Sequence, residues 1–209
     1  ARIQAHYVYP FQGGPELADL LLNGDIHTEN QKLWNLPARN DAKSPYYCLM
    51  YGGQPKKLAE TMGCTEWEAR QYYEDFWNAY TPLEMFKQTI TNVWERRGGK
   101  NGGFLKGLDG RKLFARSSHA LVNLMFQSGG SISVKLATVL TDVWCNKLNL
   151  DSVQVIHYHD EFQRETLDAH VDQVKQLAEK AFSQAGTYFK LNVPLVGEVK
   201  VGKSWKETH

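Results

Sequence analysis

The fold class is decided by residues 154–165, QVIHYHDEFQRE, in a chain whose other long segments have mostly helical patterning. Residues 154–157 and 162–165 predict two short strands, and the turn between them carries Asp160. Two strands among helices indicate the α+β class, with helices beside a small antiparallel sheet. A carboxylate at such a turn is rigid and exposed, as a Mg²⁺ ligand requires, although an Asp that merely makes the turn has the same pattern.

Composition limits the class of protein. The 209 residues carry 24 Lys and Arg against 23 Asp and Glu, a formal net charge of +1, which excludes a strongly basic tail or an acidic solvating segment. With 42% hydrophobic residues the chain can bury a sizeable core, and its apolar runs are too short to span a bilayer, so we expect it to be soluble. Its three cysteines lack metal-site spacing, which predicts free thiols in a reducing compartment.

Helices are predicted by capping signals and by periodicity. Thr65 with Glu68, and Thr81 with Glu84, each have the spacing of a capping box, which opens a helix. Further elements are expected over three ranges: a helix over 118–146, a helix over 167–186 and a final strand over 193–201.

Residues 96–116 form a basic, glycine-rich segment in an otherwise neutral chain. Seven basic residues and one acid, Asp109, give it a local charge of +6, and six glycines permit close backbone approach. A phosphate backbone selects such a composition because charge attraction and counterion release act together. A solvated loop has the same composition, so both interpretations remain open.

Four side chains recur every fourth residue: Arg39, Lys43, Tyr47 and Tyr51. On one α-helix they would line a single face at steps of about 6 Å. Two cations followed by two flat rings suit a nucleotide, with the charges on the phosphates and the rings on sugar and base. The alternative is an ordinary surface face with paired charges and half-buried tyrosines.

Pro45 lies inside this expected helix. It removes one amide donor and crowds the carbonyl of Asp41, which typically costs about 3 kcal/mol in a helix interior. The sequence therefore predicts a kink between Lys43 and Tyr47. It also predicts that Pro45→Ala straightens the helix and stabilises the fold.

Taken together, these stretches resemble the family A DNA polymerases. The family's fingers motif, Arg-x₃-Lys-x₃-aromatic-x₃-Tyr-Gly, is matched from Arg39 to Gly52. Its palm motif, His-Asp-Glu, is matched at 159–161. Further matches are residues 24–28 (GDIHT), residues 107–111 (GLDGR), Asn123 with Gln127, and residues 202–205 (GKSW) running to His209. Tyr47 and residues 116–119 (RSSH) are most similar to the phage replicative members.

The resemblance implies a division of the chain into polymerase subdomains. It implies a helical fingers subdomain plus an incomplete antiparallel palm sheet. Residues 1–26 would lead from the palm into the fingers, and residues 27–117 would form the fingers with the basic glycine-rich loop. Residues 118–209 would supply a palm helix, the His-Asp-Glu hairpin, and a C-terminal helix and strand.

The resemblance also implies a nucleotide site. His27, Arg39 and Lys43 would hold the triphosphate, and Lys43 would give a proton to the departing pyrophosphate. Tyr47 would lie against the sugar, where a Tyr implies weak discrimination against nucleotides that lack the 3′-hydroxyl. Tyr51 would stack at the template position.

Catalytic and DNA-binding roles are implied for a second set of residues. The catalytic residues would be Asp160, Glu161 and Lys43, with Asp160 as a ligand of two Mg²⁺ ions. Minor-groove acceptors are nearly alike in every base pair, so an Asn and a Gln facing the groove would test pair geometry without selecting sequence. The implied DNA-binding residues are Arg111, His119, Asn123, Gln127 and His159.

One expected element is missing from the resemblance. Residues 1–7, ARIQAHY, resemble the segment that comes directly after the strand with the family's first catalytic aspartate. We therefore expect the isolated chain to be inactive and to be completed by an N-terminal chain or segment, whether the enzyme is naturally split or this is an expressed piece. The implied partners are primer-template DNA, a deoxynucleoside triphosphate (dNTP) and that N-terminal chain, with no membrane, in the cytoplasm of a bacterial or phage-infected cell.

Two other functions remain as alternatives. A non-catalytic DNA-binding module would keep the basic segment and the Asn123 face without any partner chain. A stand-alone metal hydrolase would use His157, His159 and Asp160, although these residues cluster in one turn without distant ligands.

Overall fold

The structure is a computed structural model, and it describes residues 1–208. The chain divides into two compact units, Ala1–Ser128 (unit one) and Gly129–His209 (unit two). This division falls between residues 128 and 129, whereas the subdomain limits implied by the sequence fall after residues 26 and 117. Those subdomain limits stay predictions, because compactness alone does not define polymerase subdomains.

Unit one is built mainly from short α-helices. They are α1 (Arg2–Val8), α2 (Gly14–Asn23), α3 (Ile26–Leu33), α4 (Lys43–Met50), α5 (Pro55–Met62), α6 (Glu66–Ala79) and α7 (Thr81–Arg96). Short 3₁₀ turns occupy Arg39–Ala42, Gly99–Asn101 and Ser118–Ala120. Strands β1 (Phe104–Lys106) and β2 (Lys112–Phe114) form an antiparallel hairpin, and α8 (Leu121–Lys147) begins in this unit and ends in unit two.

An aromatic cluster joins the helices of unit one. Phe76 on α6 is fully buried, and its ring lies 5.8 Å from Trp34 and 4.9 Å from Tyr80, measured between ring centroids. Tyr46 on α4 meets the same ring edge-on at 6.1 Å. Because burying large aromatic side chains contributes much of the hydrophobic free energy of folding, this cluster fixes α4 against α6.

Only one of the two predicted capping boxes forms. The amide of Glu68 donates to Thr65 Oγ1 at 3.3 Å and the amide of Thr65 donates to Glu68 Oε2 at 2.9 Å, which confirms the first box. The second was wrong, because Thr81 is already the first residue of α7 and Tyr80 occupies the cap position. The carboxylate of Glu84 pairs with Lys87 instead.

Unit two contains the predicted hairpin. Strands β3 (Ser152–Tyr158) and β4 (Glu161–Thr166) pair antiparallel, with a register shift between Gln154 and Ile156. The unit also contains α9 (Val171–Tyr188), which follows a 3₁₀ turn at Asp168–His170, and α10 (Trp205–Thr208). The two small antiparallel sheets among helices confirm the α+β class.

The final strand predicted over residues 193–201 was wrong, because this described segment pairs with no strand. Alternate residues of this segment pack on α9 instead. Leu195 lies so close to Gly186 of α9 that a Cβ there would meet it at 2.9 Å, and Phe182 occupies the space beside Gly197. Pro194 also lacks the amide proton that a strand ladder uses.

The state of the three cysteines agrees with the prediction from the sequence. Cys48, Cys64 and Cys145 are free thiols, and Cys145 is buried. Across residues 1–208, no helix is both long and apolar enough to cross a membrane.

Candidate nucleotide site and acidic hairpin

Asp25 organises the N-terminus of α3. Its carboxylate accepts hydrogen bonds from the amide of His27 at 3.0 Å and from the hydroxyl of Thr28 at 2.9 Å. It also forms an ion pair with Arg39, whose Nη2 donates to Oδ1 at 3.0 Å. The Arg39 guanidinium holds the pKa of the Asp25 carboxyl well below its usual range. Asp25 therefore fixes the entry to α3 and the position of Arg39 together.

Arg39 does not share an α-helix with Lys43, which corrects the predicted continuous face. Arg39 lies in the 3₁₀ turn Arg39–Ala42, and α4 begins at Lys43. Tyr47 lies one turn further along α4, and Tyr51 follows the last helical residue. The four-residue spacing therefore describes one face only from Lys43 onward.

Pro45 explains this boundary. It lies in the first turn of α4, where a backbone amide has no partner within the helix, so its missing N–H costs nothing there. Continuing the α-helix backward would bring the carbonyl of Asp41 against the proline ring. The Asp41 side chain instead accepts the amide of Ala38 at 3.1 Å and stabilises the 3₁₀ turn. The predicted kink was wrong, because the change of helix type lies before Lys43.

Three aromatic side chains, the half-buried His27 and the exposed Tyr47 and Tyr51, form a continuous row. The His27 ring lies 5.8 Å from Tyr47, and the Tyr47 ring lies 6.4 Å from Tyr51 with an interplanar angle of 29°. Tyr47 is 49% exposed and Tyr51 is 57% exposed. Tyr46, on the buried side of α4, meets His27 edge-on at 5.3 Å. The row thus presents flat ring faces to solvent above the buried side chain of Tyr46.

The imidazole of His27 lies among charged groups. Partial burial lowers its pKa, nearby Arg39 and Lys43 lower it further, and Asp25 opposes them. Its Nδ1 is buried and makes no hydrogen bond within residues 1–208. Near neutral pH the ring is therefore uncharged, and an anion bound between these cations would raise its pKa.

The C-terminal end of α4 contacts the segment that leads into α8. Gly52 has a φ of +86°, and a Cβ at this position would overlap the carbonyl oxygen of His119. A glycine is therefore required for this close approach. His119 is exposed, Asn123 is half-buried and Gln127 is exposed, all within unit one. The structure thus brings His119 close to the end of the tyrosine row.

Arg111 lies in the turn of the β1–β2 hairpin. Its backbone amide donates to Asp109 Oδ1 at 3.3 Å, and its guanidinium forms an ion pair with the same carboxylate. The carboxylate of Asp109, the one acid of the basic segment, is therefore already paired with Arg111.

The second hairpin presents Asp160 at its tip. The His159–Asp160 loop joins β3 to β4, His159 has a positive φ of +52°, and Asp160 is exposed. Glu161 is half-buried at the start of β4. The exposed carboxylate oxygens of Asp160, on a loop held by paired strands, fit the hard oxygen ligands that Mg²⁺ prefers.

Arg164 anchors this hairpin to α8. Its side chain is 5% exposed, and its Nη2 donates to the carbonyl of Ser152 at 2.8 Å and to the Asp142 carboxylate on α8 at 3.2 Å. Phe162 stacks on Phe182 of α9 with ring centroids 5.9 Å apart. These contacts hold the strands that carry Asp160.

The two histidines near Asp160 have separate contacts. His157 Nδ1 lies 3.4 Å from the hydroxyl of Thr138, whereas the His159 ring lies 4.1 Å from Tyr158. Within residues 1–208, no three His, Cys, Asp or Glu side chains form a group that could hold a metal ion.

Sequence reasoning missed the part played by Asp25. In the sequence, Asp25 is recognisable only within the 24–28 match, although an Asp immediately before a helix is itself a capping signal. Its pairing with Arg39 spans fourteen positions and has no local signal.

Comparison with known proteins places the chain among polymerases. The sequence model of DNA polymerase family A matches residues 13–207. The DNA-directed DNA polymerase of Enterobacteria phage T3 is 29% identical over 230 residues, covering 100% of this chain and 32% of that protein. The DNA-directed DNA polymerase of Escherichia phage Phieco32 is 30% identical over 198 residues, covering 91% of this chain and 31% of that protein.

A bacterial relative and a solved structure extend the comparison. DNA polymerase I of Pseudomonas aeruginosa is 29% identical over 184 residues, 82% of this chain and 19% of that protein. The POL domain of Pol1 from M. smegmatis, solved in complex with DNA primer-template and dNTP, superposes with a TM-score of 0.82 at 19% identity. That match covers 100% of this chain and 39% of the solved one. The chain thus spans about a third of the length of the phage relatives.

Proposed function

The chain belongs to DNA polymerase family A, and from this premise we propose that it forms the nucleotide-binding surface and part of the metal site of a template-directed DNA polymerase. The observation that carries the proposal is the row of His27, Tyr47 and Tyr51, with Arg39 and Lys43 beside it.

The proposed reaction is nucleotidyl transfer. The 3′-hydroxyl oxygen of a DNA primer attacks the α-phosphorus of a dNTP, a new phosphodiester bond forms, and the bond to the β-phosphate oxygen breaks. Pyrophosphate leaves, and the hydroxyl proton is lost to solvent. Positioning and charge stabilisation supply most of the rate in such transfers.

Arg39, Lys43 and His27 hold the triphosphate in this proposal. Arg39 uses Nε and Nη2 on Asp25, and its remaining N–H groups can donate to phosphate oxygens. Lys43 begins α4 and donates to the phosphates, and it gives a proton to the departing pyrophosphate. The neutral imidazole of His27 becomes protonated as phosphate approaches.

The tyrosines bind the nucleoside and the template. Tyr47 contacts the sugar of the incoming nucleotide, so the chain accepts nucleotides that lack the 3′-hydroxyl. Tyr51 stacks at the template position, where its exposed ring has room to leave when a base pair forms.

The DNA duplex contacts a second set of side chains. His119, Asn123 and Gln127 face its minor groove, where hydrogen-bond acceptors are nearly the same in all base pairs. Arg111 and His159 bind backbone phosphates. The contact between Gly52 and the carbonyl of His119 supports this set, because it joins the groove-facing residues to the tyrosine row.

Asp160 and Glu161 contribute to a site for two Mg²⁺ ions, with Asp160 as the ligand. When bound, Mg²⁺ supplies positive charge for the phosphoryl oxygens and the attacking oxygen. Neighbouring carboxylates on one turn offer too few fixed oxygens for a two-metal site. We therefore propose that an N-terminal polymerase chain or segment supplies a further aspartate, and that the isolated chain is inactive.

Reconstitution tests this function. The chain is mixed with, or fused to, an N-terminal polymerase segment that carries a palm aspartate, and primer extension is measured with dNTPs and Mg²⁺. We expect extension by the assembly and none by either part alone. Lys43→Ala should reduce extension, whereas Lys32→Ala, a matched exposed lysine on α3, should leave it unchanged.

The non-catalytic DNA-binding module is the second candidate, and the basic segment 96–116 favours it. The same experiment separates the two functions. Tight primer-template binding with no extension by the assembly would support the binding module and contradict the polymerase.

A further inference from the structure

Asn30 is a polar residue enclosed in the interior of unit one. It lies on α3 and is 0% exposed, and neither its Nδ2 nor its Oδ1 has a hydrogen-bond partner within residues 1–208. A side-chain amide carries two N–H donors and an oxygen acceptor, and leaving such groups buried without partners destabilises a fold. An apolar side chain would avoid this loss. The amide therefore indicates a function at this position other than packing.

A candidate partner for this amide lies one turn earlier on the same helix. Residues three apart on an α-helix share a face, with Cβ atoms about 5–6 Å apart, so Asn30 is a neighbour of His27. Nδ1 of His27 is also buried, and it too has no partner in the described part of the chain. Because His27 as a whole is only half-buried, its ring also reaches solvent. A rotation of the short Asn30 side chain therefore brings its amide toward Nδ1.

The aromatic neighbours of His27 fix the ring without satisfying Nδ1. Tyr46 meets the ring edge-on at 5.3 Å, and its hydroxyl donates to Oε1 of Gln4 at 3.0 Å. The ring of Tyr47 lies tilted at 5.8 Å. These contacts restrict the tilt of the imidazole, and they leave the hydrogen bonding of Nδ1 to another group.

The charged neighbours of His27 are Asp25, Arg39 and Lys43. The carboxylate of Asp25 is already bound to Arg39 and to the first amides of α3. Arg39 and Lys43 carry donors only, so neither side chain can accept an N–H from the ring. Asn30 is thus the uncharged group on this helix face that can act both as a donor and as an acceptor.

We propose that Asn30 is a positioning residue for His27: its amide bonds to Nδ1 and turns Nε2 toward a phosphate oxygen of the bound nucleotide. The inference rests on the proposed function, in which His27 holds the triphosphate. In the uncharged ring, Nδ2 of Asn30 donates to Nδ1, and Nε2 carries the proton. When phosphate binds, Nδ1 takes up a proton from solvent. The amide then turns so that its Oδ1 accepts the new N–H.

Nitrogen-15 NMR of the whole chain, labelled at histidine, tests this coupling without any nucleotide. His27→Gln identifies the His27 signals, and in the unaltered chain the uncharged ring should carry its proton on Nε2. Asn30→Leu removes donor and acceptor together, so the ring should lose its single tautomer. The pKa of His27 should fall in this variant, because the buried N–H of the charged ring then lacks an acceptor.

Asn30→Asp gives the opposite expectation. A carboxylate beside Nδ1 stabilises the charged imidazole, so the pKa of His27 should rise in this variant. A merely structural role for Asn30 does not predict shifts of opposite sign in Asn30→Leu and Asn30→Asp. If Asn30→Asp does not fold, the tautomer of His27 in Asn30→Leu decides.

Calorimetric titration of the same chains with inorganic tripolyphosphate measures the consequence for phosphate binding. Asn30→Leu should bind tripolyphosphate about tenfold more weakly at pH 7, because a hydrogen bond to a charged ring is lost. It should also take up fewer protons on binding than the unaltered chain, which titrations in buffers of different ionisation enthalpy report.

Trp77→Phe is the matched control. Trp77 is 7% exposed on α6, and its Nε1 is the other buried N–H in unit one that has no partner. The substitution removes this N–H and some core packing. The tautomer of His27, its pKa and the tripolyphosphate affinity should all match those of the unaltered chain.

Two NMR outcomes would overturn the proposal. One is the same His27 tautomer and pKa in Asn30→Leu as in the unaltered chain, and the other is a shift of the same sign in Asn30→Leu and Asn30→Asp. Failure of the unaltered chain to bind tripolyphosphate would instead contradict the proposed function. The NMR measurement would still decide whether Asn30 positions His27.

Discussion

At the scale of single residues, one half-buried carboxylate organises the candidate nucleotide site. Asp25 caps α3 and pairs with Arg39, so two phosphate-binding candidates from different segments take their positions from it. Because the ion pair depresses the pKa of Asp25, its stabilising effect is present above the ordinary carboxyl range and is lost as pH falls toward the depressed value.

His27 gives a pH prediction. Burial and the neighbouring cations lower its pKa in the free chain, and bound phosphate raises it, so binding takes up a proton. Triphosphate affinity should therefore rise as pH falls from 8 to 6, by up to about tenfold for each pKa unit of difference. The measurement is dNTP titration of the reconstituted assembly across this range.

The control for this effect is His27→Gln, which keeps a polar side chain but does not titrate. Its affinity should follow only the titration of the nucleotide itself. An identical pH profile in the variant and the unaltered protein would show that His27 does not contact the phosphates.

At the scale of elements, Pro45 determines where α4 begins. Its ring is fully buried in the first turn of the helix, where no amide donor is needed. Pro45→Ala should therefore destabilise the fold by about 1–2 kcal/mol, because the variant loses buried contacts and its unfolded chain has more conformational entropy. This is the opposite of the effect that the sequence alone predicts.

Chemical denaturation measures that change. Ser44→Ala, at the exposed neighbouring position, serves as the control and should alter the free energy of unfolding by less than about 0.5 kcal/mol. A Pro45→Ala variant more stable than the unaltered chain would show that the proline strains α4 after all.

Elements with local signals could be predicted, and elements set by packing could not. The Thr65 capping box and the 154–165 hairpin depend on neighbouring residues, and both form. In residues 193–201, Leu195 and Gly197 pack against α9. This tertiary packing gives the sequence an alternating pattern like that of a strand. Arg39 lies off the predicted face because its segment is a 3₁₀ turn. The four-residue spacing in the sequence does not distinguish such a turn from an α-helix.

The spacing of the candidate residues can be recognised in the sequence, whereas their contacts cannot. The spacing from Lys43 to Tyr51 placed three side chains on one face, as the structure has them. The approach of His27 to Tyr47, and that of Gly52 to His119, join segments far apart in sequence, so only the fold reveals them.

At the scale of the whole molecule, buried phenols limit the pH range of unit one. Burial raises the pKa of Tyr7 to about 12 and the pKa of Tyr80 to about 12, and it also raises that of Tyr46. Phenols in the unfolded chain ionise near pH 10. Unfolding therefore releases protons above that value, so stability should hold up to about pH 10 and fall as pH rises to about 12.

Urea midpoints between about pH 9 and pH 12, followed together with tyrosinate absorbance, measure this loss. Tyr7→Phe should flatten the alkaline fall, whereas Tyr188→Phe, an exposed control at 69%, should not. Ionisation of Tyr7 and Tyr80 near pH 10 without unfolding would contradict their burial.

The central claim is that this chain provides the acidic turn of a polymerase, and primer extension by the reconstituted assembly tests it most directly. Asp160→Asn should reduce the extension rate by about a thousandfold or more and leave primer-template affinity nearly unchanged. Asp168→Asn, an exposed acid in the same unit, should extend primers at the rate of the unaltered assembly. Undiminished extension by Asp160→Asn would contradict the account.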